Sequence, residues 1–422
     1  MSLKKSQLAL AIAATAGLAF SSGAFATNGI IPAGNGMVAH GLGGAGLSNA
    51  AEASSGIDNP ALISQTGDSV SVAFSMFMPD RQIEQPAGSL GGETVVSDSE
   101  LFAIPQFAFT SNASYGMNWG LSAYALGGMN TDYRTGPFGA VSPAPFTAIP
   151  SRPESINLQG MIVAPTLSYA FNKNVSVGAS LLIGYMNLTA RNIFGFAGVP
   201  NGTFDDTSVG YGVKLGVNAK VADGISIGAM VQPKMDMDEF QSFKTFLNNF
   251  GYTGDASIPL PTEVGVGANF AIGKSMNIVT DILYFQWTGN EVFEFYGWED
   301  QIVYKVGFEF RPSQKLALRA GINYGESPIK GSNTTAPITT QGGTTTNAAF
   351  ANYLFPAITE SHFTVGLSYK MDKNLSISGY YLHAPEVSET ATTTSLGGSV
   401  AAGTTISMTQ NAFGLGLNYT AK

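Results

Sequence analysis

The 422-residue chain has no cysteine and only three histidines, His40, His362 and His383, set far apart. No disulfide framework is possible, and a zinc site would have neither thiolates nor histidines at ligand spacing. Charge is scarce too: 12% of residues are Asp, Glu, Lys or Arg, and the net charge is −9. Nucleic-acid binding needs clustered cations to displace counterions, so this balance argues against it. Long apolar runs are missing as well. Nothing approaches the about 18–20 residues of a membrane-crossing helix, so helices cannot carry the chain through a bilayer. Only a closed barrel of strands could do so, because every backbone polar group must then be paired internally.

What the chain does have is alternation. In Ser361–Met371, Phe363, Val365, Leu367, Tyr369 and Met371 share one face, and His362, Thr364, Gly366, Ser368 and Lys370 the other. A period of two marks a strand whose faces meet different surroundings. Small or polar residues opposite an apolar face, repeated many times, point to lipid outside and a wet lumen inside.

Fourteen such segments are expected, near 68–78, 100–110, 116–128, 156–171, 174–187, 207–221, 224–237, 260–272, 275–287, 300–311, 315–325, 361–371, 374–384 and 405–419. Short turns such as Asn172-Lys173-Asn174, Ala222-Asp223-Gly224, Gly273-Lys274, Pro312-Ser313-Gln314 and Asp372-Lys373-Asn374 join them on one side. Long excursions join them on the other, at 79–99, 129–155, 188–206, 238–259, 288–299, 326–360 and 385–404. The fold class is therefore all-β: a transmembrane antiparallel barrel over residues 68–422, with short turns in the periplasm and long loops outside. A closed barrel buries its own edges, so a monomer suffices.

Residues 1–26 read as a signal peptide. Lys4 and Lys5 precede the apolar Leu8–Phe20 and a small-x-small site at Ala24-Phe25-Ala26. Between this leader and the first strand, residues 27–67 lack alternation and are rich in Gly and Ala. Fourteen strands enclose a cylinder of roughly 25–30 Å, too wide for wall side chains to fill. Residues 27–67 are the expected plug, or hatch, inside it; a flexible periplasmic tail is the alternative reading.

Several elements resemble those of the FadL-type outer-membrane transporters of long-chain fatty acids and other hydrophobic compounds. These are Gly41-Leu42-Gly43-Gly44-Ala45-Gly46, Asn59-Pro60-Ala61, Pro105 in the second strand and Leu260-Pro261 before the eighth. The spacing Asp281…Tyr284…Trp287, Trp298-Glu299-Asp300, Leu318-Arg319-Ala320-Gly321 with Ser327-Pro328, and Phe355-Pro356 complete the set. The resemblance implies passive uptake of a hydrophobic small molecule across the outer membrane, with no enzyme activity and no cofactor. It implies that the third and fourth loops first capture the ligand. It also places Asn59, Pro60 and Ala61 as a gate beside a kinked third strand.

The residues support several of these roles directly. In the fourth loop Phe240, Phe243, Phe246, Leu247 and Phe250 recur at three- and four-residue spacing, one apolar face of a short helix. The third loop offers Ile193, Phe194, Phe196 and Val199. A capture groove and two loops that simply bury each other need the same residues, so both readings stand. Alternation points Lys214, Lys234, Glu263, Asp281, Lys305, Glu309 and Arg319 inward. A charge on the lipid face would cost about 2–4 kcal/mol at midplane. Lys305 and Arg319 lie on neighbouring strands and could receive a carboxylate, or could instead pair with Asp281, Glu309 or Glu263. In strand three, Gly120 and Gly127-Gly128 permit a bulge or bend.

Gly41–Gly46 matches G-x-G-x-x-G in form only, since no strand precedes it. Two other functions share the barrel reading. A general diffusion porin predicts charge clusters at a constriction. A structural or adhesive barrel would work through the Thr-rich stretches at 331–347 and 390–405.

Overall fold

The computed structural model describes residues 27–86, 94–134, 153–193, 202–248, 253–329, 337–339, 345–347, 352–391 and 403–421. The leader at 1–26 and the loop residues Phe194, Phe196, Val199 and Phe250 lie outside the described residues.

Among the described residues fourteen antiparallel strands close into a barrel, and a further short strand, Thr94–Val96, pairs with the outer end of the first in the same sheet. The fourteen are β1 (Ser69–Glu84), β2 (Phe102–Asn112), β3 (Met117–Tyr133), β4 (Glu154–Ala170), β5 (Val175–Ile193), β6 (Gly202–Ala222), β7 (Ile225–Gln232), β8 (Thr262–Ile272), β9 (Met276–Gln286), β10 (Gln301–Phe310), β11 (Leu316–Gly325), β12 (Ser361–Lys370), β13 (Leu375–Thr390) and β14 (Thr405–Thr420). Each pairs with its sequence neighbour, and β14 pairs with β1 from Thr405↔Glu84 to Thr420↔Ser69. Closure leaves no edge unpaired, the condition for a sheet to sit in hydrocarbon.

The alternation of the sequence becomes the two faces of this wall. Phe363, Val365, Leu367 and Tyr369 of β12 are exposed, while His362 and Thr364 are buried in the lumen. Exposed aliphatics such as Leu181, Val213, Val266, Ile282, Val306 and Leu415 continue the outer band. Aromatics mark its two ends. Trp119, Tyr169, Tyr369 and Tyr419 stand near the short turns, and Tyr185, Tyr211, Tyr304, Tyr324 and Tyr381 near the long loops.

The short turns close by side-chain capping. Asn172 Oδ1 accepts from the N–H of Asn174 (2.7 Å) and Val175 (3.1 Å), and Asp372 Oδ1 from Asn374 (2.7 Å) and Leu375 (2.9 Å). Both are turns in which a short polar side chain replaces a backbone acceptor.

Three expectations about strands change. Strands β1, β3, β5, β6 and β13 run well past the predicted ends on the loop side, because their outer portions stay paired with neighbouring strands. Strand β7 stops at Gln232 rather than 237. Lys234 therefore does not face the lumen; it is solvent-exposed past the strand end and pairs with Asp236 at 3.0 Å. Trp287 lies just beyond β9 and turns inward, fully buried.

Residues 27–67 run across the bore. A short ribbon pairs 27–28 with 31–32, followed by α1 (Met37–Gly41), α2 (Ser55–Asp58), a 3-10 turn (Pro60–Leu62) and α3 (Ile63–Thr66). This backbone rests on inward-facing wall glycines. A Cβ on Gly228 would stand 2.0 Å from the Leu47 carbonyl oxygen, and one on Gly321 2.1 Å from the Gly43 nitrogen. Such approach is open only to glycine.

Candidate functional site

On the loop side the lumen is roofed by α4 (Gln241–Asn248), α5 (Glu291–Phe295) and the segment 352–358. The three- and four-residue spacing predicted in the fourth loop forms α4. Its N-terminal N–H groups at Ser242 (2.8 Å) and Phe243 (2.9 Å) are capped by Asp206 Oδ2 from β6. Lys244 Nζ clasps Glu239 at 2.5 Å, and this bond holds the Glu239 carboxyl below its ordinary range. Phe240, Phe243, Phe246 and Leu247 are all buried. Phe204 of β6 packs on Phe243 (5.7 Å) and Phe246 (5.9 Å), ring centroid to ring centroid. Ile193, fully buried at the end of β5, and Phe246 both crowd Gly202. Phe204, at the described end of the third loop, thus packs on α4, whose apolar side chains are buried.

Beneath them stands an aromatic group that the sequence reading treated as family marks or ignored. Trp287 makes edge contacts with Phe293 (5.0 Å) and Trp298 (5.1 Å), Phe293 stacks on Trp298 (4.7 Å), and Phe285 stacks on Trp287 (6.1 Å). Trp298 Nε1 donates to Asn352 Oδ1 at 3.2 Å. The segment 352–358 is tied down by Tyr133, whose hydroxyl donates to the Tyr353 carbonyl at 3.0 Å, and by Thr131 on the Leu354 carbonyl at 3.1 Å. It buries Tyr353, Leu354, Phe355, Ala357 and Ile358 under the roof. The dense aromatics of 285–298 were a readable signal. Nothing local in 326–360 tells that 352–358 folds inward.

These side chains form one apolar core. It runs from Phe240 and Phe246 through Met186, Met235 and Met237 to Trp287, Ile30, Leu126 and Tyr124. At its lower end lies a cavity of about 40 Å³, bounded by Ile31, Leu126, Asp58, Asp281, Lys214 and Lys305. That holds about three waters, whereas a benzene-sized guest occupies cavities near 150 Å³. A ligand would have to part the side chains above or move the segment below.

The lower half is held by polar ties. Asp281 Oδ2 accepts from the backbone N–H of Gly46 (2.7 Å) and Leu47 (3.1 Å). Asn59 Nδ2 donates to the carbonyls of Leu47 (2.8 Å) and Val217 (3.0 Å), while its Oδ1 accepts from Ala61 N–H at 3.0 Å. Pro60 rests on Gly178 of β5 and Asn59 on Gly216 of β6. The resemblance had implied that Asn59-Pro60-Ala61 sits beside strand three. Here it lies on β4, β5 and β6 instead. The break in strand three is present, a bulge between Ala125 and Gly127, and the carbonyl of Ile30 faces it. Gly127 adopts φ 140°, a conformation that favours glycine.

The two candidate lumen cations differ. Arg319 Nε and Nη2 both reach Glu309 Oε2 at 2.7 Å, and Nη1 donates to Ser368 at 2.7 Å. Its fork is occupied by the wall. Lys214 pairs with Glu263 at 3.4 Å. Lys305 stands opposite Asp281 in register and borders the cavity, yet takes part in no ion pair within 4.0 Å among the described residues.

A fourteen-stranded lipid-facing barrel with a filled bore and an apolar core reaching its outer rim defines a transporter of the bacterial outer membrane. A family model described as "Outer membrane protein transport protein (OMPP1/FadL/TodX)" matches residues 12–422, and the chain belongs to that family of transporters, which is not an enzyme family. The fold is shared with solved structures. The Pseudomonas putida toluene transporter TodX has TM-score 0.66 and 16% identity, covering 92% of this chain and 99% of its own. The Ralstonia pickettii toluene transporter TbuX has 0.63 and 15%, with the same coverage. A Pseudomonas aeruginosa FadL homologue has 0.65 and 14%, over 93% and 99%. No curated protein sequence matches the chain.

Proposed function

We propose that the protein carries long-chain fatty acids or other hydrophobic small molecules passively inward across the outer membrane. Capture falls to Ile193, Phe240, Phe243, Phe246 and Leu247, together with Phe194, Phe196 and Phe250 of the same loops. The ligand then moves along the apolar core into the lumen. Residues 27–67 act as the hatch, with Asn59, Pro60 and Ala61 holding it to the wall. The observation that carries this reading is the unbroken apolar core from α4 to the cavity beside Lys305.

Burial of apolar surface drives capture, at about 25 cal/mol per Å² removed from water. The polysaccharide outer leaflet repels apolar solutes, which gives such a path its purpose, and consumption inside the cell supplies the gradient. The toluene transporters of the same fold, with the resemblance to FadL-type fatty acid transporters, make aromatic hydrocarbons and fatty acids the two substrate classes to compare. In a strain lacking the gene, uptake of labelled oleate or toluene should fall and return on complementation. Uptake of both equal to the parent strain refutes the proposal.

A further inference from the structure

Three of the short turns repeat one pattern, a lysine with an apolar residue two positions before it and another two positions after. They are Phe171-Asn172-Lys173-Asn174-Val175 between β4 and β5, Ile272-Gly273-Lys274-Ser275-Met276 between β8 and β9, and Met371-Asp372-Lys373-Asn374-Leu375 between β12 and β13. Counted in twos along the flanking strands, the first, third and fifth positions continue the lipid-facing row. Phe171, Ile272, Met276 and Met371 are exposed at 60%, 49%, 39% and 56%. The three lysines are exposed as well, and none joins an ion pair within 4.0 Å among the described residues.

Other cations of the rims are placed differently. On the loop side Arg134 holds Asp98 at 2.6 Å and Lys234 holds Asp236 at 3.0 Å. At the turns Lys220 pairs with Asp223 at 2.9 Å and Arg311 with Glu309 at 2.6 Å, while Lys315 and Lys370 fall on the inward parity of Arg319 and Thr364. Among the described turn cations, only Lys173, Lys274 and Lys373 stand unpaired on the lipid-facing row.

Their depth follows from the apolar residues beside them. Tyr169 and Tyr369 mark the turn-side end of the outer band, yet Phe171 and Met371 lie one outward position beyond them. Phe171 packs edge-on to Tyr169 at 5.0 Å. Exposed apolar side chains this close to the turn would meet water unless the membrane interface reached the turn itself. A lysine one outward position further then lies in the headgroup layer. There its alkyl stem can follow the apolar row while the ammonium meets lipid phosphate.

We infer that these three turns bind anionic phospholipids of the periplasmic leaflet, one lipid phosphate at each of Lys173, Lys274 and Lys373. A zwitterionic headgroup carries its own ammonium beside the phosphate, whereas an anionic one leaves the phosphate charge for the protein to neutralise. Each site therefore selects the anionic lipid. A soluble acidic partner would match the charge alone and leave the exposed Phe171, Ile272, Met276 and Met371 without a purpose. The inference rests on the barrel's place in the outer membrane and is independent of what passes through the bore.

The test is native mass spectrometry of the full chain in detergent with equimolar dioleoyl phosphatidylglycerol and dioleoyl phosphatidylcholine. Wild type should retain about five of the first for each of the second, the factor one cation supplies at a charged membrane surface. Lys173→Gln with Lys274→Gln and Lys373→Gln should bring the two lipids to parity, and the three Lys→Arg substitutions should keep the preference. A loop-side set, Arg134→Gln, Arg191→Gln and Lys234→Gln, should bind as wild type does. If the triple Gln variant fails to show the heat-dependent gel shift of a folded barrel, the single substitutions decide, each releasing about one third of the bound phosphatidylglycerol. Parity in wild type, a preference that survives in the turn variants, or an equal loss in the loop-side set overturns the inference. Parity together with binding of polyglutamate that the triple Gln variant loses would give the rim to an acidic soluble partner instead.

Discussion

The two halves of the bore are filled in opposite ways. Toward the loops, the filling is side chain on side chain: Phe and Trp rings, Met thioethers and aliphatics from α4, α5 and 352–358. Toward the turns, it is main chain on main chain, with residues 27–67 lying on wall glycines and fastened by Asp281 and Asn59. An apolar side-chain packing can open around an apolar guest at modest cost, since the lost contacts are replaced in kind and Met adapts to irregular shapes. Backbone seated on glycine has no such slack, because the atoms in contact are not on rotatable side chains. Under the proposed function the upper half would admit a molecule and the lower half would seal the bore.

The largest break in this comparison should come from the glycine seats. Gly228→Val and Gly321→Val put a side chain where Leu47 and Gly43 main-chain atoms stand. Residues 27–67 should then become sensitive to protease, and single-channel recordings should show ion conductance absent from wild type. Unchanged protection in both variants would show that the lower seal yields as readily as the upper packing.

Next in size, Phe243→Ala with Phe246→Ala removes buried rings whose loss costs about 3–5 kcal/mol each in a rigid core. The expectation is a strong fall in oleate or toluene uptake while the barrel still folds and the bore stays closed to ions. Ion leakage from this pair would erase the distinction between capture and seal.

Asp281→Leu sharpens the contrast from below. It strips the acceptor from two buried N–H groups, each worth about 1–3 kcal/mol when left bare. Faster amide exchange at Gly46 and Leu47 should appear without change at α4. Equal exchange at Gly46 and Leu47 in variant and wild type would show that the glycine seats alone hold the segment.

The smallest effect is the Glu239–Lys244 clasp. Because the folded Glu239 value lies below its ordinary 4.5, the clasp adds stability that is fully present above 4.5 and is lost as pH falls through the lower, folded value. The pair is partly exposed, so only local loosening of α4 is expected. Hydrogen exchange of α4 at pH 7 and pH 3, taken as protection relative to the intrinsic rate at each pH, reads it, with weaker protection at the lower pH; a larger loss of protection at 46–47 would be contrary.

The wall was legible because each strand states its own two faces. Phe363 to Tyr369 outward and His362 to Thr364 inward follow from period two alone, and short polar turns mark where one strand becomes the next. The helix of the fourth loop was legible for the same reason, a local repeat. What escaped was every feature made by residues far apart in sequence. Lys234 was assigned inward because the alternation was carried past Gln232, where β7 ends. Asn59-Pro60-Ala61 was placed beside strand three, when its carbonyl and amide partners lie on β5 and β6.

Period-two alternation, fourteen strands, an outer membrane home and a loop helix with one apolar face are written in the chain, since each depends on neighbours within a few residues. Only the tertiary structure decided that Asn59 and Pro60 rest on Gly216 and Gly178 rather than beside strand three, and that 352–358 is drawn inward by Thr131 and Tyr133. Those contacts depend on register and curvature summed around the whole wall, which no local stretch of sequence contains.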